Sequence, residues 1–294
     1  MRLSLIAKQA IATLLLAAAI VCLAGAAPAY SMPGVVDDAG VRVTLSRSPR
    51  RIISLTPGIT EMLFSLGLGP RIVGDTTFCN YPPKAKSIAK VGNLTTNYEM
   101  VIGLKPDLVI ADGIANRASL PRLRALRVPL FTIRPHNIAD IETDIKKIGA
   151  VTGTGKQAEH VIMDMERKLA AAAILYKNHN KKKVIAIVGV NPLYAAGGGT
   201  FIDDVIKRAG AVNIASTAKG YASFSKEYLF SLKPDNILAN PFDANELLAD
   251  RQLRLLPAIA NHGITGMGGD ISMRPGPRLA DGVLLLAKSL YGSH

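Results

Sequence analysis

Short apolar runs alternate with amphipathic segments through the first half of the chain. Alternation over residues 41–45 predicts a short edge strand or hairpin. Four further runs, rich in Val, Ile and Leu, have the length and composition of buried strands, at residues 52–55, 72–74, 108–111 and 130–133. Helical segments separate them, at residues 56–66, 98–104 and 117–126. Strands that alternate with helices predict a parallel α/β sheet.

The middle of the chain breaks this rhythm. Isoleucines recur at helical spacing at positions 138, 141, 145 and 148, and a second helical pattern then runs from about residue 156 to 179 without a proline. At 1.5 Å per residue this second helix is roughly 35 Å long, enough to cross a domain. The alternation then resumes, with strands at 184–188 and 236–239 and helices at 201–209, 226–232 and 278–290.

The two halves of the chain share a repeated segment. Glu99–Ala111 aligns without gaps on Glu227–Ala239, and both copies contain Leu-Lys-Pro-Asp. Each copy predicts a helix, a break and a buried strand, because proline disfavours helical geometry in the residue before it. Chance is an alternative, since this motif is a common helix-to-strand joint. Two related lobes are the simpler explanation, with an N-terminal lobe at 30–137, a helical connector at 138–180 and a C-terminal lobe at 181–294.

The first 29 residues have the pattern of a cleaved signal peptide. Basic residues precede an apolar run over 10–24 that ends in small residues, and cleavage is expected after Ala29 or Ala26. An uncleaved anchor is the alternative, but the run is near the lower length limit for a membrane span. Cys22 follows Val21 rather than a small residue, so there is no convincing lipobox. We therefore expect a soluble exported protein.

The composition is that of a folded protein, because 49% of the 294 residues are hydrophobic and 19% are charged. The formal net charge of +13 raises the question of a nucleic-acid or membrane partner. The basic residues are, however, spread over the Lys181–Lys183 run, helix ends and loops, and they are not interleaved with aromatic residues in one patch. No nucleic-acid partner is expected.

The cysteines and histidines predict neither a disulfide nor a metal site. A leader that removes Cys22 leaves Cys79 alone, and the five histidines have no His-x-x-x-His spacing. Gly153–Lys156 lacks the first glycine and the Ser/Thr of a phosphate-binding loop, and the chain contains no Gly-x-Ser-x-Gly. We predict no catalytic residue, bound cofactor or metal ligand, which favours a binding protein over an enzyme.

The loops after the predicted strands lie where α/β sheets bind ligands. They are polar, aromatic and rich in glycine, as is typical of a binding surface. The candidate ligand-binding residues are Phe78, Tyr81, Asn93, Arg134, His136, Asn191, Tyr194, Tyr221, Phe242 and Arg274. His136 is also a candidate general base, although a loop histidine more often has a solvated or hydrogen-bonding role.

Glu99 and Glu227 occupy matching positions in the repeat, in the first turns of helices that Asn97 and Ser225 are expected to cap. A carboxylate there can simply stabilise the helix, by about 0.3–1 kcal/mol, through its interaction with the helix dipole. Alternatively, each lobe presents one acidic side chain on the same outer face, ready for a pair of cationic pockets on a two-fold partner. The sequence physics leaves both explanations open.

Together these features resemble the periplasmic substrate-binding proteins of ABC importers for cobalamin, iron-siderophores and haem. The similarity covers about residues 41–292 and is carried by Arg51–Leu63, Asn80–Pro83, Val91–Asn93, the two repeats and Arg274–Leu279. The resemblance implies two Rossmann-like lobes with parallel sheets, one long rigid backbone helix and a ligand cleft between the lobes. It also implies a monomer that delivers a small-molecule metal chelate to a permease dimer in the inner membrane, with Glu99 and Glu227 docking onto arginines of that dimer.

Within that family, Tyr81–Pro83 and Asn97–Ala111 are most similar to the cobalamin binders, so the resemblance implies a corrinoid first. Phe78 and Asn93 depart from that pattern, because they stand where a cobalamin binder has a tyrosine and a tryptophan.

Two alternatives remain. A ferric siderophore or haem would suit the basic side chains of Arg134, Arg274 and Arg278, although ordinary solvation also explains them. Nitrogenase-like oxidoreductases also have facing α/β lobes, but their clusters need several cysteine thiolates.

Overall fold

The structure is a computed structural model that describes residues 34–93, 95–266, 271 and 274–292. The predicted signal peptide and its cleavage site lie outside these residues and stay a prediction. Over the described ranges, no helix combines the length and the apolar character needed to cross a membrane.

The N-terminal sheet is wholly parallel, as the sequence predicts. The predicted hairpin precedes it and pairs β1 (Val35–Val36) with β2 (Arg42–Val43) in antiparallel fashion. The sheet contains β3 (Ile52–Ser54), β4 (Ile72–Gly74), β5 (Leu108–Asp112) and β6 (Leu130–Ile133), and its strand order is β4-β3-β5-β6. The connecting helices are α1 (Pro57–Ser65), α2 (Tyr98–Gly103) and α3 (Leu120–Ala125). Helix α3 begins three residues later than predicted.

Two helices follow this sheet. Gly153 adopts a φ of 76° and ends α4 (Ile138–Thr152), which suits a residue without a Cβ. Helix α5 (Gly155–Tyr176) has 22 residues, or about 33 Å, and confirms the predicted long helix. The two helices pack closely where Gly149 faces Ala158, because a Cβ on Gly149 would lie only 2.7 Å from that of Ala158.

The second sheet is mixed. Its strands are β7 (Lys183–Val190), β8 (Leu193–Ala196), β9 (Val212–Asn213), β10 (Tyr221–Ser223), β11 (Asn236–Ala239) and β12 (Ile264–Gly266). The order is β10-β8-β7-β11-β12, with β9 also beside β7. Strands β7, β9, β11 and β12 pair in parallel. The parallel arrangement was predicted, but of these four strands only β7 and β11 were. The antiparallel edge of β8 and β10 was not predicted, and it forms because Asn191 and Pro192 alone turn the chain straight back.

The helices of the second half are α6 (Phe201–Arg208), α7 (Lys226–Leu232), α8 (Pro241–Ala249), α9 (Pro257–Ala260) and α10 (Leu279–Tyr291). Helices α8 and α9 were not predicted, so Phe242 lies in the first turn of a helix rather than in a loop. Helix α10 packs along α5 and also contacts α6. The proposed domain limits stay a prediction.

Both sheets are buried on both faces, which explains their near-continuous apolar strands. In β3, Ile52 and Ile53 point into different core clusters, and in β7 Val184 and Ile185 do the same. The largest cluster joins one face of each sheet through the buried sides of α4, α5 and α10. The helical connector is therefore part of the core and not a loose linker.

Candidate functional site

A pocket of about 420 Å³ opens at the carboxyl ends of β3, β4 and β5. Parallel α/β sheets bind ligands at this edge. Its wall combines apolar groups, hydroxyls, amides and one carboxylate, from Leu55, Thr56, Pro57, Gly58, Thr76, Phe78, Asn93, Asp112, Ala115, Asn116, Arg274 and Pro275. The structure thus brings together three residues predicted from the sequence, Phe78, Asn93 and Arg274.

A segment from the C-terminal half of the chain closes one side of this pocket. Arg274 donates from Nη1 to the Asn80 Oδ1 at 2.8 Å and from Nη2 to the Phe78 carbonyl at 3.2 Å. Pro275 lies against α1, where a Cβ on Gly58 would meet the Pro275 carbonyl oxygen at 2.2 Å. Only glycine permits this approach, so Gly58 allows the C-terminal segment to pack against the start of α1.

Glu61 anchors the same segment by an ion pair. Its carboxylate accepts from Arg278 Nε at 2.8 Å and from Nη2 at 2.6 Å, and Arg274 Nη1 lies 3.5 Å from Oε1. Bidentate pairs of this kind fix geometry as well as charge. The Arg278 and Arg274 guanidinium groups therefore already serve to hold the two halves of the chain together.

Tyr81 lies in a different place from the other predicted residues. The Arg278 guanidinium carbon sits 3.7 Å from the centre of its ring, a cation–π contact. Tyr81 lines a separate groove of about 520 Å³ between α1, α5 and the start of α10. The structure does not bring Tyr81 into the pocket that holds Phe78.

Asp112 and Tyr221 come from opposite halves of the chain and lie near enough for the Asp112 charge to act on the Tyr221 hydroxyl. Burial raises the pKa of Tyr221, and the Asp112 carboxylate raises it further, although the side chain keeps 52% of its surface exposed. The pocket at β5 therefore opens towards the second lobe.

Arg134 and His136 lie on the rim beside Asp112. Burial raises the pKa of Asp112, whereas its backbone hydrogen bonds and the charges of His136 and Arg134 oppose that rise. The two rim residues are exposed and line a further pocket of about 560 Å³, together with Arg117 and Arg124. This rim is basic, in contrast to the pocket beside it.

The remaining predicted residues lie on the second lobe and are exposed. Asn191 follows β7, Tyr194 lies in β8 opposite Ser223, and Phe242 is 69% exposed in α8. None of the pockets described above includes them.

The candidate ligand-binding residues did not include Asp112, Thr56, Thr76 or Asn116, although the sequence reasoning had placed the loops that hold Thr76 and Asp112–Asn116 at the ligand-binding edge. Asp112 ends β5 at the edge where the sheet binds ligands, so the strand prediction contained the signal that could have found it.

The predicted N-caps of the repeat helices are confirmed. Asn97 Oδ1 accepts from the Met100 N–H at 3.1 Å, and Ser225 Oγ accepts from the Tyr228 N–H at 3.1 Å. Glu99 and Glu227 are both exposed in the first turns behind these caps. Hydrogen bonds from its own backbone N–H and from Ser225 lower the pKa of Glu227, so this side chain is a carboxylate at neutral pH.

Cys79 is a buried structural residue. Thr60 Oγ1 donates to its Sγ at 3.1 Å, and burial raises the pKa of the thiol, which disfavours the reactive thiolate. Beside it, Lys90 donates to Asp75 Oδ1 at 2.6 Å and to the Ala85 carbonyl at 2.9 Å. These contacts hold the loop that carries Phe78 and Asn80. Across the described ranges, no three His, Cys, Asp or Glu side chains cluster closely enough to hold a metal ion.

Comparison with known proteins places the chain in a family. The model of the periplasmic binding protein family matches residues 52–270. An uncharacterized ABC transporter substrate-binding lipoprotein of Bacillus subtilis is 32% identical over 269 residues, which cover 88% of this chain and 86% of that protein.

Two solved structures share the fold. The periplasmic vitamin B12 binding protein of Vibrio cholerae has a TM-score of 0.74 and 25% identity, over 83% of this chain and 97% of that one. A periplasmic heme-binding protein from Roseiflexus sp. RS-1 has a TM-score of 0.75 and 28% identity, over 82% and 98%. These neighbours share the two-lobed architecture. The chain therefore belongs to the periplasmic binding protein family and is a substrate-binding protein of the ABC transporter type.

Proposed function

We propose that this protein is the periplasmic solute-binding component of an ABC importer, and that it captures a corrinoid such as cobalamin and delivers it to an inner-membrane permease. The site supports a large, mostly uncharged ligand, because apolar and amide groups line the pocket and aromatic side chains stand on both lobes. In this proposal the metal ion is part of the corrinoid, so the protein binds the chelate as a whole.

One observation carries the choice of a corrinoid over haem. Among the described residues, one arginine lines the pocket, and this Arg274 is engaged by Asn80, by the Phe78 carbonyl and by Glu61. Its charge is thereby already compensated within the protein, and Asp112 adds a negative charge to the same wall. This wall suits the neutral carboxamides of a corrinoid better than the carboxylates of haem.

Calorimetric titration of the purified mature protein tests this proposal. We expect saturable binding of cyanocobalamin with a stoichiometry of one, and much weaker binding of haem and of a panel of ferric siderophores. Haem binding through an axial Tyr or His would also change the haem absorption spectrum. Binding of haem or a siderophore without binding of cyanocobalamin would overturn the corrinoid assignment.

The basic rim favours the second candidate, an anionic chelate. Arg117, Arg124, Arg134 and His136 lie together beside the cleft, and arginine pairs well with carboxylates. A ferric siderophore or haem would use this rim rather than the pocket below it. An Arg134→Gln variant separates the two candidates, because it should weaken an anionic chelate and leave cyanocobalamin affinity unchanged.

We also propose that Glu99 and Glu227 dock onto cationic pockets of a two-fold permease. Both carboxylates are exposed, lie at the same position of the two repeats and are held at capped helix starts. Charge-assisted pairing of a carboxylate with a guanidinium is short and directional, so two such contacts fix the register of docking.

The double variant Glu99→Ala with Glu227→Ala should bind ligand as the wild type does but should abolish uptake in a strain that depends on this protein. The matched control is Glu159→Ala with Glu166→Ala, which removes two charges from the exposed side of α5. Unchanged uptake by the first pair, or equal loss with the control pair, would contradict docking through these residues.

A further inference from the structure

Among the described residues that line the pocket, Asp112 is the single carboxylate, and its orientation is fixed. Its Oδ1 accepts from the Ile114 N–H at 2.7 Å and from the Ala115 N–H at 3.0 Å. The Asp112 N–H donates to Asn116 Oδ1 at 2.9 Å. Across the described ranges no hydrogen bond reaches Oδ2. The side chain is thus held by one oxygen, and the other is left for a group in the pocket.

The internal repeat shows that the fold does not require a charge at this position. The offset that aligns Glu99 with Glu227 aligns Asp112 with Asn240, and both follow the apolar residues of equivalent parallel strands. Asn240 Oδ1 accepts from the N–H three residues ahead, at 2.8 Å, just as Asp112 does from Ala115. A neutral amide therefore performs the same backbone role in the second lobe, so the extra charge of Asp112 needs another explanation.

The surroundings of Asp112 do not supply a partner for that charge. Tyr221 across the cleft and Arg134 and His136 on the rim are near enough to influence its carboxylate, yet none forms a hydrogen bond with it. Oδ2 is not one of the buried side-chain oxygens without a partner among the described residues, so it is accessible from the cleft. An N–H of a ligand in the cleft can therefore approach it and donate to it.

We infer that Asp112 determines ligand specificity, because its Oδ2 accepts a hydrogen bond from an N–H of the cargo, which for a corrinoid is a peripheral carboxamide. This inference rests on the proposed function. A carboxylate at the same place on a ligand would instead meet Asp112 as a like charge. The pocket should therefore select a corrinoid with intact amides over one whose amides have been hydrolysed to acids.

The test compares the wild type with Asp112→Asn in calorimetric titrations. The variant keeps an oxygen for Ile114 and Ala115, as Asn240 does in the second lobe, but it replaces the acceptor at Oδ2 by an N–H donor. Hydrogen bonds to charged groups contribute about 1.5–3 kcal/mol, so we expect affinity for cyanocobalamin to fall about 10- to 150-fold. Affinity for corrinoid monocarboxylic acids should fall less or rise.

The control is Asp107→Asn, which removes the same charge at the opposite end of β5, away from the pocket. Thermal unfolding checks that both variants fold, and Asp112→Ser serves as a second variant if the first does not. Equal cyanocobalamin affinity for the wild type and a folded Asp112 variant would overturn the inference and leave the proposed function intact. Failure of the wild type to bind any corrinoid would overturn both.

Discussion

At the scale of single residues, three carboxyl groups withdrawn from water are accommodated in three different ways. Glu61 is paired with Arg278, and Asp112 is held by backbone N–H groups. Asp144 is 1% exposed and lies close to Asp38, which in turn forms an ion pair with Lys147. Burial raises the pKa of Asp144 to about 9, and the charge of Asp38 adds to the rise. Asp144 is therefore protonated at neutral pH.

This proton makes the stability of the protein depend on pH. The native state holds it more tightly than the unfolded chain, in which an Asp titrates near 3.8. The unfolding free energy should therefore fall as the pH rises from about 4 to about 9. Asp38, Asp140 and Lys147 are the charged groups that face Asp144.

Asp144→Asn should flatten this decline, since an amide has no proton to lose, and the variant should be more stable than the wild type at pH 8. Urea unfolding at pH 5, 6.5 and 8 measures the effect. Asp164→Asn is the control, because ion pairs with Lys168 and Arg167 lower the pKa of Asp164 and its titration lies below this range. An unchanged slope for Asp144→Asn would mean that Asp144 is ionised in the native state.

At the scale of elements, the two lobes share one helix-to-strand joint in detail. Lys105 and Lys233 both adopt left-handed backbone, with φ of 46° and 47°. Asp107 accepts from the Arg51 N–H at 2.8 Å, and Asp235 accepts from the Lys183 N–H at 2.7 Å. Each aspartate thus ties the joint to the opening strand of its own sheet. Matching strain at matching positions is a strong argument for two related lobes.

Replacing either lysine by glycine should stabilise the protein by about 1 kcal/mol, because left-handed backbone costs a residue with a Cβ roughly 1–2 kcal/mol. Lys105→Gly and Lys233→Gly should behave alike in urea unfolding. Lys146→Gly, at an exposed position inside α4, should instead destabilise by about 1 kcal/mol. If all three substitutions destabilise, the left-handed joint carries no strain.

At the scale of the whole molecule, α5 joins two lobes that share one core cluster. The buried side of α5, through Ala158, Ile162, Met165 and Ala172, packs into the same cluster as one face of each sheet. Closure about such a helix needs small hinge or shear movements, since larger ones would break this core.

We therefore expect the radius of gyration from solution scattering to stay nearly the same when cyanocobalamin saturates the protein. Ala170→Pro, at an exposed position of α5, is the comparison, because proline kinks or breaks a helix interior. The Ala170→Pro variant should broaden the scattering profile, and its radius of gyration should change more than that of the wild type when cyanocobalamin binds. A large compaction of the wild type on binding cyanocobalamin would show that α5 does not hold the two lobes rigidly.

Much of this architecture follows from local patterns in the sequence. The strand over Leu130–Ile133 and the helix over Lys226–Leu232 agree with their predicted bounds, because β-branched runs and capped amphipathic segments carry their own signal. The edge strands that contain Tyr194 and Tyr221 were missed. They have only four and three residues, and their conformation depends on pairing, β8 with β7 and β10 with β8.

The sequence by itself determined the alternation of strands and helices, the long helix and the capped positions of Glu99 and Glu227, because each depends on neighbours within one or two turns. It also determined the repeat, which follows from aligning the two halves of the chain. Only the tertiary structure decided that Glu61 holds Arg278, that Tyr81 lies apart from Phe78 and that Asp112 lies near Tyr221. Such contacts join residues far apart in the chain. No local pattern specifies them, because packing of the two lobes against the helical connector sets which side chains meet.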